Sequence, residues 1–454
     1  MIFFGLFFSC IISCKKFIEV IPPKTELIGT TVFSSDASAK AAIDGIYSNM
    51  MSSFGFASGS LQSLTALTGL ASDELINFYP DPTIIEFYQN ALDKANSYNQ
   101  AYLWSEPYKY IYSANAIIEG LSNNPDITTS TIQQLTGEAK FIRSFCNFYL
   151  VSLFGDIPLN LTTDYRITST AKRSPQSQVY QQIISDLKDA QTLLLNDYSF
   201  SKGERVRPNK WVATALLARV LLYTEDWPNA EIEATAVINN TADYSLESDL
   251  NKVFLANSME AIWQLMPNQP GFNTNEGRYF ILTGSPTNVT LSNQVINAFE
   301  PGDTRKANWI GSFIDGTGTY YFPYKYKVQS GSGLTEYSMV LRLAEQYLIR
   351  AEARAWQNDI SGAQDDLNAI RTRAGLSNTS ANTRETLLDA IISERQVELF
   401  TEWGHRWLDL KRTNNADAIL GPIKSPDWQS TDTLFPIPLQ EIQNNVHIVQ
   451  NEGY

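Results

Sequence analysis

Two stretches of the chain repeat one spacing of small and apolar residues, and this spacing constrains the fold more than any other feature of the sequence. They cover residues 211–237 and 342–370, and each carries an apolar pattern of helical period. In each stretch an alanine is followed twelve positions later by a second alanine; the pairs are Ala218 with Ala230 and Ala351 with Ala363. Small residues at matching places let two helices approach closely, so each stretch predicts a pair of antiparallel helices.

The spacing resembles the helix–turn–helix unit of tetratricopeptide repeats. Apolar periodicity predicts two further pairs: a helix over 104–121 with one before it, and helices over 132–154 and 179–195. Ser174 followed by Pro175 predicts the N-cap and first residue of the last helix. We therefore expect a mainly α fold, in which four tetratricopeptide-like helix pairs form a scaffold with long irregular loop insertions and a few short strands.

Two stretches interrupt the helical pattern. Residues 251–334 carry nine glycines, several prolines and short aromatic runs, which predict loops and short strands. Residues 73–100 form a second loop-rich stretch between early helices. The sequence contains no clear interdomain linker, so residues 32–454 are expected to form a single domain.

The first residues of the chain predict export. Residues 2–12 are apolar apart from small residues, and two lysines follow Cys14. A run of about eleven apolar residues matches the core of a secretory signal and is too short to span a bilayer. The alternative is a buried N-terminal helix or strand.

A lipid anchor is predicted where this apolar run ends. Residues 11–14, Ile-Ile-Ser-Cys, resemble a bacterial lipobox, whose cysteine becomes the lipidated N-terminus. Residues 1–13 are therefore interpreted as a signal peptide, Cys14 as the lipidated residue and residues 14–31 as a tether. Cys10 is a weaker alternative, because bulky aromatic residues precede it. Cys146 lies in an apolar helical pattern and is expected to be a small buried hydrophobe.

Charge and composition exclude several classes of protein. Lys and Arg number 34 against 48 Asp and Glu, a formal charge of −14, which disfavours binding to nucleic acid. Two histidines and three cysteines are too few for a disulfide framework or a zinc site of His and Cys. No spacing of side chains argues for a metal, and we expect no cofactor.

Catalytic patterns are weak. Glu394 and Glu398 fall on one helix face, whereas a glycosidase needs carboxylates on opposite sides of the scissile bond. His405 and His447 have no partner at metal-ligand or catalytic spacing and are expected to be packed or capped. We therefore expect no enzyme activity.

Several blocks of sequence resemble signature blocks of the SusD/RagB family, in the same order over nearly the whole chain. They include the patterns around Trp104, Tyr108 and Asn115, residues 137–143 and 153–159, Gly302-Asp303-Thr304-Arg305, residues 394–400, and the tail residues 435–442 and 450–454. The resemblance assigns about residues 300–454 to the C-terminal region of the family. We expect the charged motif residues to form buried or half-buried ion pairs and caps; they are Arg143, Asp156, Asp303, Arg305, Glu394 and Arg395.

The resemblance implies a function. Members of the family are surface-exposed, lipid-anchored proteins of the outer membrane that bind a nutrient and deliver it to a SusC-like TonB-dependent barrel transporter. The most favoured ligand is an oligosaccharide. The alternatives are a peptide-binding member of the same family and, less favoured, a secreted glycan hydrolase.

A ligand face is then expected on the loop-rich stretches at about 73–100 and 251–334. Aromatic rings stack on the apolar faces of sugars, and polar groups bind the hydroxyls. The candidate ligand-binding residues are Asp73, Phe78, Tyr79, Tyr88, Tyr98, Tyr279, Trp309, Tyr320 and Tyr321; Phe87, Phe280 and Phe313 lie in the same stretches.

Overall fold

The computed structural model describes residues 32–52 and 54–454. The predictions of a signal peptide, of lipidation at Cys14 or Cys10 and of a tether fall on residues 1–31, outside the described residues. Nearly all of the predicted domain is therefore described.

Helices dominate the described residues. In chain order they are α1 Asp36–Met50, α2 Leu64–Ala71, α3 Pro82–Gln89, α4 Glu106–Leu121, α5 Thr129–Phe154, α6 Tyr165–Thr168, α7 Gln176–Leu193, α8 Lys210–Tyr223, α9 Trp227–Ile238, α10 Asn275–Phe280, α11 Asn293–Ala298, α12 Thr304–Trp309, α13 Leu343–Trp356, α14 Ile360–Arg373, α15 Arg384–Glu398, α16 His405–Arg412, α17 Ala416–Lys424 and α18 Leu439–Asn444. A π-helical turn, Asn99–Ser105, leads into α4.

The strands are short and form antiparallel pairs. They are β1 Leu75–Asn77, β2 Ile157–Pro158, β3 Arg173–Ser174, β4 Ala261–Leu265, β5 Val289–Leu291, β6 Ile310–Asp315, β7 Gly318–Pro323 and β8 Ser338–Arg342. The pairs are β1 with β5, β2 with β3, β4 with β8 and β6 with β7. The observed architecture confirms the predicted fold class.

The scaffold is a series of long helices, each packed against the next. The order is α4, α5, α7, α8, α9, α13, α14 and α15, and α1 packs against both α4 and α5. The predicted alanines, Ala218, Ala230, Ala351 and Ala363, are all fully buried. Cys146 is also fully buried, as predicted, and burial raises the pKa of its thiol well above the usual value.

The two repeats also share their turn. Asp226 and Asp359 lie eight positions after the first alanine of each repeat, and each carboxylate caps the second helix by accepting from the backbone N–H three residues later. The preceding residues, Glu225 and Asn358, adopt left-handed backbone angles with φ of 60° and 62°. Both sequences therefore fold through the same turn.

One predicted cap is wrong. Ser174 lies in β3 opposite Ile157, and α7 begins at Gln176. The backbone N–H of Gln176 donates instead to the carboxylate of Asp156 at 2.9 Å. A side chain distant in sequence thus replaces the local serine.

The loop-rich stretches contain more helix than predicted. Residues 73–100 include β1 and the helix α3, whose N-cap is Asp81 with Pro82 at the first position. Residues 251–334 hold the predicted short strands together with α10, α11 and α12.

Five of the six charged motif residues are buried and paired, and the half-buried Asp156 forms a cap, as predicted. Arg305 lies against Asp303 at 2.7 Å, Glu394 at 2.6 Å and Glu398 at 2.8 Å. Arg342 joins Glu398 to Glu402 and Glu260 in the same buried network. These ion pairs tie β8 and α12 to the C-terminal end of α15.

A second set of motif residues fixes the start of the scaffold. Arg143 makes two hydrogen bonds of 2.8 Å to Asp186, and a third of 2.8 Å to the amide oxygen of Asn115. Trp104 is buried against Phe154, with ring centres 4.9 Å apart. Trp104 and Asn115 thus pack the π-helical turn and α4 against α5.

Candidate functional site

Two predicted ligand-binding residues are buried. The ring of Trp309 is fully buried in the core and its Nε1 donates to the backbone oxygen of Leu250 at 3.0 Å, so the prediction is corrected for this residue. The buried carboxylate of Asp73 accepts two hydrogen bonds of 2.7 Å from Arg406 and borders a cavity of about 430 Å³, so its role in binding stays a prediction. An aromatic motif in a loop-rich sequence does not reveal which side chains turn inward.

The structure brings Phe78 and Tyr320 together. Their rings meet edge to face, with centres 5.7 Å apart and planes at 86°. The backbone N–H of Phe78 donates to Asn288 at 2.7 Å, which extends the β1–β5 pairing by one residue. Phe313 lies opposite Tyr320 in the β6–β7 hairpin. Phe78 is 38% exposed, so this pair offers an accessible aromatic surface.

A second aromatic group forms around Tyr98. Its hydroxyl donates to the carboxylate of Asp81 at 2.9 Å, and its ring lies 5.3 Å from that of Tyr102. Partial burial and the nearby Asp81 raise the pKa of Tyr98. Tyr102 was not predicted, although it lies one helical turn after Tyr98.

The third group consists of Tyr279, Phe54 and a cation. The rings of Tyr279 and Phe54 are 6.4 Å apart, and Phe54 is 50% exposed. The guanidinium of Arg278 lies 3.9 Å from the ring centre of Phe272 and 5.2 Å from that of Tyr279. Phe54 was missed because it precedes the predicted loop-rich stretches.

Residues 54–63 link the second group to the third. The backbone N–H of Phe56 donates to the carboxylate of Glu106 at 2.6 Å, close to Tyr102. On the other side, the amide of Asn275 donates to the backbone oxygen of Ser58 at 2.8 Å. The sequence signal that could have predicted an irregular segment here is its content of Gly and Ser residues.

Residues 54–63 join the second and third groups, and three positions of chain separate Phe78 from Asp81, the hydrogen-bond partner of Tyr98; we call the three groups together the loop face. It comprises Phe54, Phe78, Tyr98, Tyr102, Tyr279 and Tyr320.

Three other predicted residues lie outside these groups. Tyr79 and Tyr321 are half-buried against the core, as Tyr98 and Tyr279 also are. Tyr88 lines a cavity of about 430 Å³ with Asp73, Gln89, Asn293 and Gln294. The ammonium of Lys424 sits 4.5 Å from the ring centre of Tyr88 and donates to two backbone oxygens. Phe87 and Phe280 are buried.

Two carboxylic acids close in sequence to loop-face residues are buried. Burial raises the pKa of Glu276 to about 7, while Ser338 donates to one of its oxygens at 2.6 Å. Burial raises the pKa of Glu74 to about 8. An alanine at Gly59 would place its Cβ 2.2 Å from the Glu276 carboxyl carbon, so residues 54–63 lie directly on this acid.

The weak catalytic patterns prove to be structural. Glu394 and Glu398 are buried and share the guanidinium of Arg305, which leaves no gap between them for a substrate. His405 is buried, and its burial together with nearby arginines lowers its pKa well below the usual value. Among the described residues no group of His, Cys, Asp and Glu has the arrangement of a metal site.

The chain was compared with known families. A sequence model of the SusD family matches residues 304–454, and one described as "Starch-binding associating with outer membrane" matches residues 16–222. In residues 32–52 and 54–454, no helix is both long enough and apolar enough to cross a membrane.

Individual proteins are also similar. SusD-like protein P2 of Formosa agariphila is 29% identical over 422 residues, which cover 77% of this chain and 80% of that protein. A crystal structure of a SusD superfamily protein from Bacteroides vulgatus shares the fold with a TM-score of 0.81 and 21% identity, over 93% of this chain and all of the other. A laminarin-binding SusD-like protein aligns with a TM-score of 0.76 and 23% identity, over the same shares.

Proposed function

Because this chain belongs to the SusD/RagB family, we propose that it is a surface-exposed outer-membrane lipoprotein that binds an oligosaccharide and delivers it to a SusC-like TonB-dependent barrel transporter. The loop face carries this proposal. It presents three aromatic groups on loops, short strands and short helical segments beside the helical scaffold. One matching family is described as starch-binding and one structural relative as laminarin-binding, which supports a glycan as the ligand.

The chemistry of the loop face suits sugars. Exposed rings can stack on the apolar faces of pyranoses, and the phenol hydroxyls of Tyr98 and Tyr320 can exchange hydrogen bonds with sugar hydroxyls. The side chains are largely positioned before binding, by Asp81 for Tyr98 and by Thr317 for Tyr320. Binding therefore orders few groups, which favours affinity on a shallow surface.

Two alternatives make different predictions. A peptide-binding member of the family keeps the architecture and changes only the ligand. A glycan hydrolase needs two opposed carboxylates at the ligand, and the candidates Glu394 and Glu398 are held together by Arg305 in the core. We therefore propose binding without turnover.

Titration calorimetry of the mature chain with laminarin and starch oligosaccharides tests the ligand. Combining Phe78→Ala with Tyr320→Ala removes an exposed aromatic pair and is expected to weaken binding at least about tenfold, because the sugar loses the apolar area that it buries on the rings. Tyr165→Ala is the matched control, since Tyr165 is 75% exposed and lies outside the loop face. Equal affinity of the double variant and wild type, or binding of peptides alone, would refute the assignment.

Membrane fractionation of cells that express the full chain tests the anchor. We expect Cys14→Ser to release the protein from the membrane fraction and Cys10→Ser to leave it there, because only the cysteine at the lipobox position is acylated. Release by Cys10→Ser alone would move the anchor to that residue. Recovery of a barrel transporter with affinity-tagged wild-type protein, solubilised in mild detergent, tests the partner.

A further inference from the structure

A groove lies on the other side of α4 from the loop face. It has a volume of about 680 Å³, within the range typical of ligand sites. Glu106 and Tyr110 of α4 face residues 54–63, whereas Tyr108 and Tyr112 follow two positions later, about 200° around the helix, and line the groove. The groove is therefore separate from the loop face.

Its aromatic floor comes from one stripe of sequence. Trp104, Tyr108 and Tyr112 are spaced four residues apart, so they lie along the same side of the chain as the π-helical turn passes into α4. Trp104 is buried beneath Tyr108, with ring centres 5.1 Å apart. Tyr112 is 57% exposed and offers an accessible ring.

Two polar groups in the groove have unused capacity for hydrogen bonds. The side-chain oxygen of Asn160 is buried and has no hydrogen-bond partner among the described residues. Such a group is costly unless a ligand or water satisfies it. The half-buried carboxylate of Glu441 bonds to the Trp104 side chain, and burial raises its pKa. A carboxylate has four acceptor positions, so one neighbour leaves others available.

Both walls of the groove are fixed by the fold. Asn115, held by Arg143, donates to the backbone oxygen of Asn160 at 3.0 Å. On the opposite wall, the side chain of Asn445 donates to the backbone oxygen of Ala171 at 2.8 Å. The motif residues Asn115 and Arg143 thus position a surface groove as well as the scaffold, and a ligand meets walls that are already formed.

We propose that this groove is a second carbohydrate site, which takes a short neutral oligosaccharide. The ring of Tyr112 stacks on a sugar, while Asn160 and Glu441 accept hydrogen bonds from its hydroxyls. Lys109 also lines the groove, so one cation offsets the carboxylate of Glu441 and the groove suits a neutral ligand. Only the choice of a carbohydrate as ligand rests on the proposed function. The groove itself does not depend on the loop face, because the two share no residues.

Calorimetry with maltoheptaose and laminarihexaose, on the Phe78→Ala and Tyr320→Ala double variant, tests the second site. Residual binding to this variant is expected to weaken at least about tenfold when Tyr112→Ala is added. It should persist with Tyr112→Phe, which keeps the ring. Because Tyr112 is exposed, neither change threatens the fold.

The outcomes separate the two proposals. If wild type binds a glycan and the double variant binds none, or if Tyr112→Ala leaves the residual binding unchanged, the second site is refuted while the loop face stands. If neither glycan binds wild type, both proposals fail for these sugars. Binding in the groove of a peptide, and of no sugar, would replace the proposed ligand.

Discussion

Single buried charges hold together parts of this molecule that are far apart in sequence. Arg305 is the clearest case, because one guanidinium contacts three carboxylates from residues 303, 394 and 398. Burying a charge is costly unless it is matched, and removing one partner leaves the others unpaired. The charged SusD/RagB motif residues on this chain thus stabilise the fold rather than contact a ligand.

Replacing Arg305 by Met should lower the free energy of unfolding by about 3–5 kcal/mol, because buried carboxylates lose their counter-charge. The matched control is Arg166→Met, whose ion pair with Asp164 lies at the surface and whose loss should leave the stability nearly unchanged. Urea denaturation followed by circular dichroism measures both. Equal effects of the two substitutions would show that the buried network contributes no more than a surface pair.

A buried acid close in sequence to the loop face predicts a pH dependence. The pKa of Glu276 is raised by burial from 4.5 to about 7, so between these values the folded chain binds a proton that the unfolded chain has released. The stability from this group is complete below pH 4.5 and falls as the pH rises toward 7. Glu276→Gln removes the titration, so the variant should gain stability relative to wild type between pH 5 and 8. Melting temperatures across that range report it; parallel curves would contradict the raised pKa.

At the scale of elements, the scaffold was predictable and its junctions were less so. Ala218 and Ala230 predicted a helix pair, because closely packed helices need small residues at a regular spacing. Such a spacing can be read directly from the sequence. The cap of α7 was not predictable, because it comes from Asp156, which lies twenty positions before Gln176 in the sequence. Phe54 was missed for a related reason: a contact across the fold, to Tyr279, makes it part of the surface.

The segment 54–63 gives a prediction at this scale. Gly59 has φ of +73° and lies against Glu276, so Gly59→Ala should destabilise the fold by about 1–3 kcal/mol and weaken glycan binding at the loop face. Gly45 lies inside α1 with open space at its Cβ, so Gly45→Ala should stabilise by about 0.5–1 kcal/mol. Thermal unfolding distinguishes the two. If Gly59→Ala left the melting temperature unchanged, residues 54–63 would accommodate the added methyl group without strain, which would contradict the prediction.

The whole molecule divides its work between a regular scaffold and irregular surfaces. Sequence periodicity specifies the scaffold, because every turn of a packed helix must present apolar residues to its neighbour. The surfaces obey no period: Trp309 and Tyr320 lie eleven residues apart in one aromatic stretch, yet the first is in the core and the second is on the loop face. Residue type alone could not separate them, since tertiary contacts decide which ring is exposed.

Our interpretation is tested most directly by incubating the purified mature chain with laminarin and starch oligosaccharides. Both the bound fraction and the chain length of the recovered glycan are then measured. We expect a glycan to be retained and recovered at its original length. Recovery of shortened glycan, or retention of neither glycan, would show that this protein is not a carbohydrate-binding partner of the proposed kind.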